Sequence, residues 1–317
     1  MLEHGLCKLN TVAKIRDIGI HPPERLPTGT HLGRVRLAVS NLEESILFYN
    51  QVIGLAVLER SGNLARLGTH AAGLEMGQVL LELVEVPGVQ PLVHGKRLGL
   101  YHTAFLLPTR RALGSFVRHV KALGVPFGAG DHIYNEAIYV TDPDGLDVEV
   151  CADRDRSVWE YDGQEIVSET NPARLNELLS LADKPWTGVP RGTTVGHVHI
   201  YVGNLEMAAA FYHAALGMDY VAWRFPGALF LSAGGYHHHV GLNSWAAGSP
   251  PASETDARLL FWELAFSEAE ELQRTAERLR KAGFEETTGP MGGPAFKDPW
   301  GITVALVPER VRQELAA

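Results

Sequence analysis

Residues 131–149 read DHIYNEAIYVTDPDGLDVE, which sets a histidine, a tyrosine and a glutamate around an Asp-Pro-Asp-Gly turn. Two further histidines stand in strand-like runs, His102 in GLYHTAFLL and His197 in VGHVHIYV. Two neutral imidazoles and one carboxylate, here His102, His197 and Glu149, form the donor set of a facial triad, which leaves positions open on ferrous iron. Such donors suit Fe(II) or Mn(II) better than a closed zinc site, which would want four protein ligands. His199 shares a strand face with His197, because side chains alternate with period two, and is the ligand if the register is off by two. A second cluster, GGYHHHVGLNSW at 234–245, carries three adjacent imidazoles. On a strand, His238 would face opposite to His237 and His239.

These residues need a frame, and the frame is a repeat. LGRVRLAVSNLEESILFYNQVIG (32–54) aligns without a gap to VGHVHIYVGNLEMAAAFYHAALG (195–217). Asn41 and Asn204 sit where helix N-caps belong, with Glu43 and Glu206 in the first turn. Gly54 and Gly217 suit the position just past the helix, where a positive φ is cheap for glycine. A weaker pair follows, 99–125 and 257–284, and each member runs on to an Asp-Pro-x-Gly turn, at 142–145 and 298–301, and a last strand. The chain thus reads as four βαβββ modules beginning near 31, 98, 194 and 257. The expected division is an N-terminal extension over 1–30, a first unit over 31–151, a polar connection over 152–193, a second unit over 194–310 and a tail over 311–317.

The repeat is its own control. First-strand equivalents are Arg34, His102, His197 and Phe261; last-strand equivalents after the two Asp-Pro turns are Glu149 and Ala305. Modules two and three therefore supply all three ligands, while modules one and four offer side chains that do not bind iron. If modules two and three share one cup, modules one and four should share the other, and it should hold no metal. Glu82 is an acid in module one, but its first-strand partner is Arg34.

Four such modules, an α+β arrangement in two domains, resemble the vicinal oxygen chelate superfamily of glyoxalase I and the type I extradiol dioxygenases. The resemblance covers about His31 to Leu306. Gly130-x-His132, Ile138-Tyr139, Asp142-Pro143-x-Gly145 and Glu149 fit the extradiol signature throughout. GLYHTAFLLPTRRALG, ADRDRSVW, GHVHIYV and GGYHHHVGLN resemble the catechol-2,3-dioxygenase branch. What this implies is an iron ligand at Glu149, pocket-lining roles for His132 and Tyr139, and an acid/base histidine three residues before a small one, which is His238 before Gly241. His237 or His239 would take that role on a bulged strand. His237, His239 and Trp245 are further candidates for substrate contact, with Phe211 and Tyr236 as wall residues. In the better-known extradiol enzymes the iron lies within the C-terminal modules. Here the site must join modules two and three, within one chain or between swapped chains of a homo-oligomer.

The implied activity is opening of a catechol-type ring with O₂ on Fe(II), or Mn(II) in its place. Two rivals share the fold. A glyoxalase-type isomerase would want a fourth ligand, which module three lacks. A non-catalytic binding protein would not need the triad. The net charge of −9 argues against nucleic acid. No apolar run is long enough to span a membrane, and the N-terminus lacks the apolar core of a signal peptide. Two cysteines, Cys7 and Cys151, are too few for a disulfide framework; a reducing cytoplasm is expected.

Overall fold

The computed structural model describes residues 19–70 and 77–309. Residues 1–18 of the expected N-terminal extension, with Cys7, and the tail over 311–317 lie outside the described residues.

Module one is built of β1 (His31–Val39), β2 (Ala56–Ser61), β3 (Leu64–Gly68) and β4 (Val79–Glu85); module two of β5 (Gly99–Leu107), β6 (Gly128–Asp131), β7 (Asn135–Thr141) and β8 (Asp147–Asp153). Three two-residue strands mark the connection: β9 (Tyr161–Asp162), β10 (Glu165–Ile166) and β11 (Asn171–Pro172). Module three holds β12 (Thr194–Tyr201), β13 (Asp219–Ala222), β14 (Ala228–Ser232) and β15 (Val240–Asn243); module four holds β16 (Arg258–Phe266), β17 (Glu286–Thr288), β18 (Pro294–Lys297) and β19 (Thr303–Pro308). A helix follows the first strand of each module, and the four βαβββ units expected from the sequence are all present.

The helix signals work as read. Asn41 accepts from the Glu44 amide and Asn204 from the Met207 amide. Both helices widen into a π-helical last turn, Tyr49–Ile53 and Ala210–Ala215, and Gly54 (φ 90°) and Gly217 (φ 96°) take the left-handed step beyond it. The wider turn aims a tyrosine across the module boundary: Tyr49 donates to Asp142 Oδ2 at 3.1 Å, and Tyr212 to Asp298 Oδ2 at 2.9 Å. The Asp-Pro turns of modules two and four are thus latched by the helices of modules one and three.

The sheets do not follow the sequence halves. One has nine strands in the order β11-β6-β7-β8-β5-β12-β15-β14-β13; the other has eight, β17-β18-β19-β16-β1-β4-β3-β2. Modules two and three share the first sheet through antiparallel β5 and β12, and modules one and four share the second through β1 and β16. The segments 31–151 and 194–310 therefore describe the repeat along the chain, while the cups are built crosswise. On each central strand one face enters the common core under the helices, as with Val198, Ile200, Val148 and Val150. The other face, with His102, Ala104 and Glu149, lines the cup.

Phe211, expected as a pocket wall, is instead a core residue. It is fully buried on its helix and packs edge-on against Tyr212 and Phe284.

Candidate active site

Three neighbouring strands at the centre of the nine-stranded sheet, β8, β5 and β12, carry the triad. Ala104 on β5 is the register partner of both Glu149 on β8 and His197 on β12, and His102 lies two residues earlier on the same face. The smallest chiral side chain therefore sits between two of the donors, and the space over it is left to them. His102 Nε2 is 3.0 Å from Glu149 Oε2 and 3.2 Å from His197 Nε2, and His197 Nε2 is 3.3 Å from the same carboxylate oxygen. Ligands at about 2.2 Å on adjacent corners of an octahedron are about 3.1 Å apart, against about 3.6 Å for a tetrahedron. The spacing fits an octahedral face. Glu149 Oε1 is buried without a hydrogen-bond partner among the described residues, and a cation beside that carboxylate would help to offset this. Burial pushes the Glu149 carboxyl up, but the imidazoles of His197 and His102 outweigh it and hold the group well below the usual carboxylate range.

His132 and Tyr139 stand on the side of module two. Tyr139 is the register partner of Glu149, and its ring lies 5.6 Å from that of His102. His132 Nδ1 meets the Glu169 carbonyl at 3.0 Å and its Nε2 meets the Tyr139 hydroxyl at 2.8 Å. A carbonyl only accepts, so Nδ1 carries the proton and Nε2 accepts from the tyrosine. The turn after His132 is strained: Ile133 has φ +72°, rare for a β-branched residue. Asp131 accepts from its amide, and Arg154 bonds both the Asp131 carboxylate and the Ile133 carbonyl.

The triple histidine departs from the strand expected of it. Gly234 and Gly235, at φ 62° and 67°, end β14, and 236–239 run as an irregular segment into β15. His237 and His238 are therefore not on opposite faces; their Nδ1 atoms meet at 2.9 Å. His237 Nε2 binds Asp153 Oδ1 at 2.9 Å, and its ring stacks on Tyr134 at 4.4 Å. An ionised Asp153 takes the Nε2 proton of a neutral His237, whose Nδ1 then accepts from His238, leaving His238 Nε2 bare. The His238 ring is 4.1 Å from that of His197. Burial, then the neighbouring imidazoles, pushes His238 well below the usual imidazole range. His239 Nδ1 accepts from the Ala233 amide at 3.2 Å, and its ring packs on Tyr236 at 4.9 Å. His199 stands beside the triad without joining it: Asn243 donates to its Nε2 at 3.1 Å, and its ring covers Gly241, where a Cβ would lie 2.8 Å from the imidazole. Trp245, half-exposed, stands at the rim 5.8 Å from His199. The residues missed from the sequence are Ala104, Asp153 and Asn243. Only the repeat register, not residue type, could have pointed to Ala104.

The other cup is filled differently. In the place of His197, Arg34 pairs with Glu82 on β4 and with Glu263 on β16, at 2.7 Å to the latter. Arg36 and Arg66 also bind Glu82. Among the described residues, the one cluster of three close metal-binding side chains is His102, Glu149 and His197.

Comparison with known proteins agrees with this geometry. The profile of the Glyoxalase/Bleomycin resistance protein/Dioxygenase superfamily matches residues 31–150 and 194–306. The chain belongs to this superfamily. It is 40% identical over 276 residues to a catechol-2,3-dioxygenase of Bacillus subtilis (strain 168), covering 85% of this chain and 94% of the relative. That similarity puts it in the catechol-2,3-dioxygenase branch of the extradiol enzymes. Among solved structures, a putative dioxygenase from Bacillus subtilis subsp. subtilis str. 168 superposes with a TM-score of 0.61 at 12% identity, covering 90% of this chain and 86% of that one. Glyoxalase I from Zea mays gives 0.53 at 17% identity, covering 88% and 92%. At these identities the two structures speak for the superfamily fold alone.

Proposed function

We propose that the protein is a non-haem Fe(II) dioxygenase that opens a catechol-type ring with O₂ by extradiol cleavage, Mn(II) being the alternative metal. The observation that carries this is the set of three donor atoms, 3.0–3.3 Å apart on one face, with an ordered imidazole on either side. Iron held by His102, Glu149 and His197 would supply open positions at which diol and O₂ meet and exchange electrons. The chain does the rest. Tyr139, bonded to His132, presents a polar pair toward one ring oxygen. His238, its bare Nε2 on the other flank, takes a proton and returns it later, work that typically contributes ~10²–10⁴-fold. His237 keeps that imidazole oriented through Asp153. His239 supports Tyr236 behind it, and Trp245 closes the rim. One chain supplies every part, so the reading needs no swapped partner. Among the described residues no helix is long and apolar enough to cross a membrane. The cytoplasmic setting, with an aromatic diol and O₂ as small-molecule partners, belongs to the proposal.

Protein purified without oxygen should contain about one iron per chain, and His102→Ala should lose it while keeping its circular dichroism. With catechol it should consume O₂ and form the yellow ring-opened product. Stoichiometric iron in His102→Ala, or no O₂ uptake with any diol by iron-loaded protein, overturns the reading. A glyoxalase-type isomerase would want a fourth ligand facing Glu149, and β15 (VGLN) has no acid to give.

A further inference from the structure

Beyond the triad the cup has a wall of its own. The His102 ring lies 4.7 Å from Tyr101 and 5.0 Å from His199. Tyr101 reaches Trp245 at 5.9 Å, and His199 reaches Phe230 at 5.6 Å. Phe225 joins Phe230 at 5.8 Å to Trp245 at 6.3 Å, and Phe230 returns to His238 at 5.0 Å. The rings form a closed circuit that runs from a proposed metal ligand out to the half-exposed indole of Trp245 and back. Two of its polar tips are already used. Asn243 holds His199, and Trp245 donates its Nε1–H to the Pro226 carbonyl at 2.9 Å.

Charge on this wall is one-sided. Asp147, two residues before Glu149, is the register partner of His102, the neighbour of Tyr101 on β5. His94 spans this corner, Nδ1 on Asp147 at 3.1 Å and Nε2 on Tyr201 at 2.9 Å, so both its nitrogens are engaged. The arginines of modules two and three are held elsewhere: Arg110 by Glu136, Arg111 by Asp183, Arg118 by the Ala182 carbonyl and Arg224 by Asp162 and Glu165, while Arg154 of the connection pairs with Asp131. The guanidinium groups seen stacked on rings lie on Phe261, Trp159 and Tyr236, none on Tyr101, Phe225, Phe230 or Trp245.

Resting on the diol reading of the site, we infer that the substrate carries an uncharged, apolar ring substituent (alkyl, halogen or aryl) against the Tyr101–Phe225–Phe230–Trp245 wall, and that Trp245 determines this specificity. A carboxylate-bearing diol would set its charge among rings and beside Asp147, with no guanidinium stacked there to meet it. Desolvating an unpaired carboxylate is unfavourable, whereas each added methylene in an apolar pocket is worth about 10–200-fold in discrimination.

The test is binding and turnover measured side by side. Titration calorimetry under argon on metal-loaded enzyme would compare catechol, 4-ethylcatechol, 4-phenylcatechol, 3,4-dihydroxybenzoate and 3,4-dihydroxyphenylacetate. The two apolar diols should bind at least tenfold tighter than catechol and the two acids more weakly than catechol, with kcat/KM in the same order. Trp245→Ala should shrink the preference of 4-phenylcatechol over catechol by about tenfold. Trp245→Arg should bring the acids above the apolar diols. Acids that bind as tightly as 4-ethylcatechol, or a preference unchanged in both variants, overturn the inference and leave the dioxygenase reading intact. Failure of every diol to bind overturns that reading itself.

Discussion

The chemistry of the site depends on what is absent from one position. Ala104 lies between Glu149 and His197 in register, fully buried with Ala137 and Cys151 beside it. Ala104→Leu should therefore fill the space the donors need, lowering metal affinity on the order of 10²-fold for an overpacking cost of about 1–3 kcal/mol in stability. Metal titration and thermal melts of the same sample separate the two effects; unchanged affinity would show that the donors do not converge over Ala104. Asp153 is the second residue-scale case. Asp153→Ala frees the His237 tautomer and with it His238, so kcat should fall about 10²-fold with iron content and KM near wild type. An equal fall in iron would make Asp153 a support of the triad instead. The triad was legible because the repeat sets four first-strand positions and two last-strand positions side by side, and only modules two and three have ligands there. Neither Ala104 nor Asp153 was, because a small residue has no signature, and an aspartate in ADRDR looks like any solvated acid.

At the scale of elements, the tyrosine latches carry a pH dependence opposite to that of most carboxylates. Asp142 accepts the Asp144 and Leu146 amides on one oxygen and the Tyr49 hydroxyl on the other. Burial is the largest influence and pushes its carboxyl up to about 7; Asp298, in the matching turn, goes to about 6 for the same reason. A raised folded pKa stabilises fully below the unfolded value, near 3.9, and the contribution is lost as pH rises through about 7 for Asp142. Asp142→Asn keeps the amide-accepting oxygen but cannot ionise. The Tm of the variant relative to wild type should thus climb steadily between about pH 4 and pH 8. A difference that is flat with pH would mean that Asp142 titrates normally. The caps and closing glycines of these helices were readable from residue type alone, since their hydrogen bonds are local. The π-helical turn that aims Tyr49 and Tyr212 was not, because it answers to an aspartate 93 or 86 residues away. The triple histidine failed as a strand for a local reason: two consecutive left-handed glycines break the extended run just before it.

For the whole molecule, period and spacing announced four modules but not in which sheet each would lie. That choice rests on which first strands meet, β5 with β12 and β1 with β16, and on what each meeting buries: imidazoles over a carboxylate in one sheet, a guanidinium between Glu82 and Glu263 in the other. The two sites where a metal could have sat have thus diverged into one whose donors are spaced for a cation and one that carries its own. The crosswise pairing also governs what a severed chain would do. Cut in the connection, each half keeps one central strand of either sheet and loses both partners. Either fragment, 19–151 or 194–309, leaves two long inner strands bare, a state prone to aggregate or to pair with its own twin. A twin of the first half would set Arg34 opposite His102 and Glu149, and a twin of the second would set Phe261 opposite His197, so neither homodimer should retain iron. Refolded together, the halves should restore both sheets at once and bind one iron per mixed pair. Iron retained by either half alone would mean that its modules had found a different way to close. The molecule would behave, in this sense, as a two-part lock whose parts are needed in equal number, and expression from a single reading frame guarantees the one-to-one supply that two separate genes would have to balance.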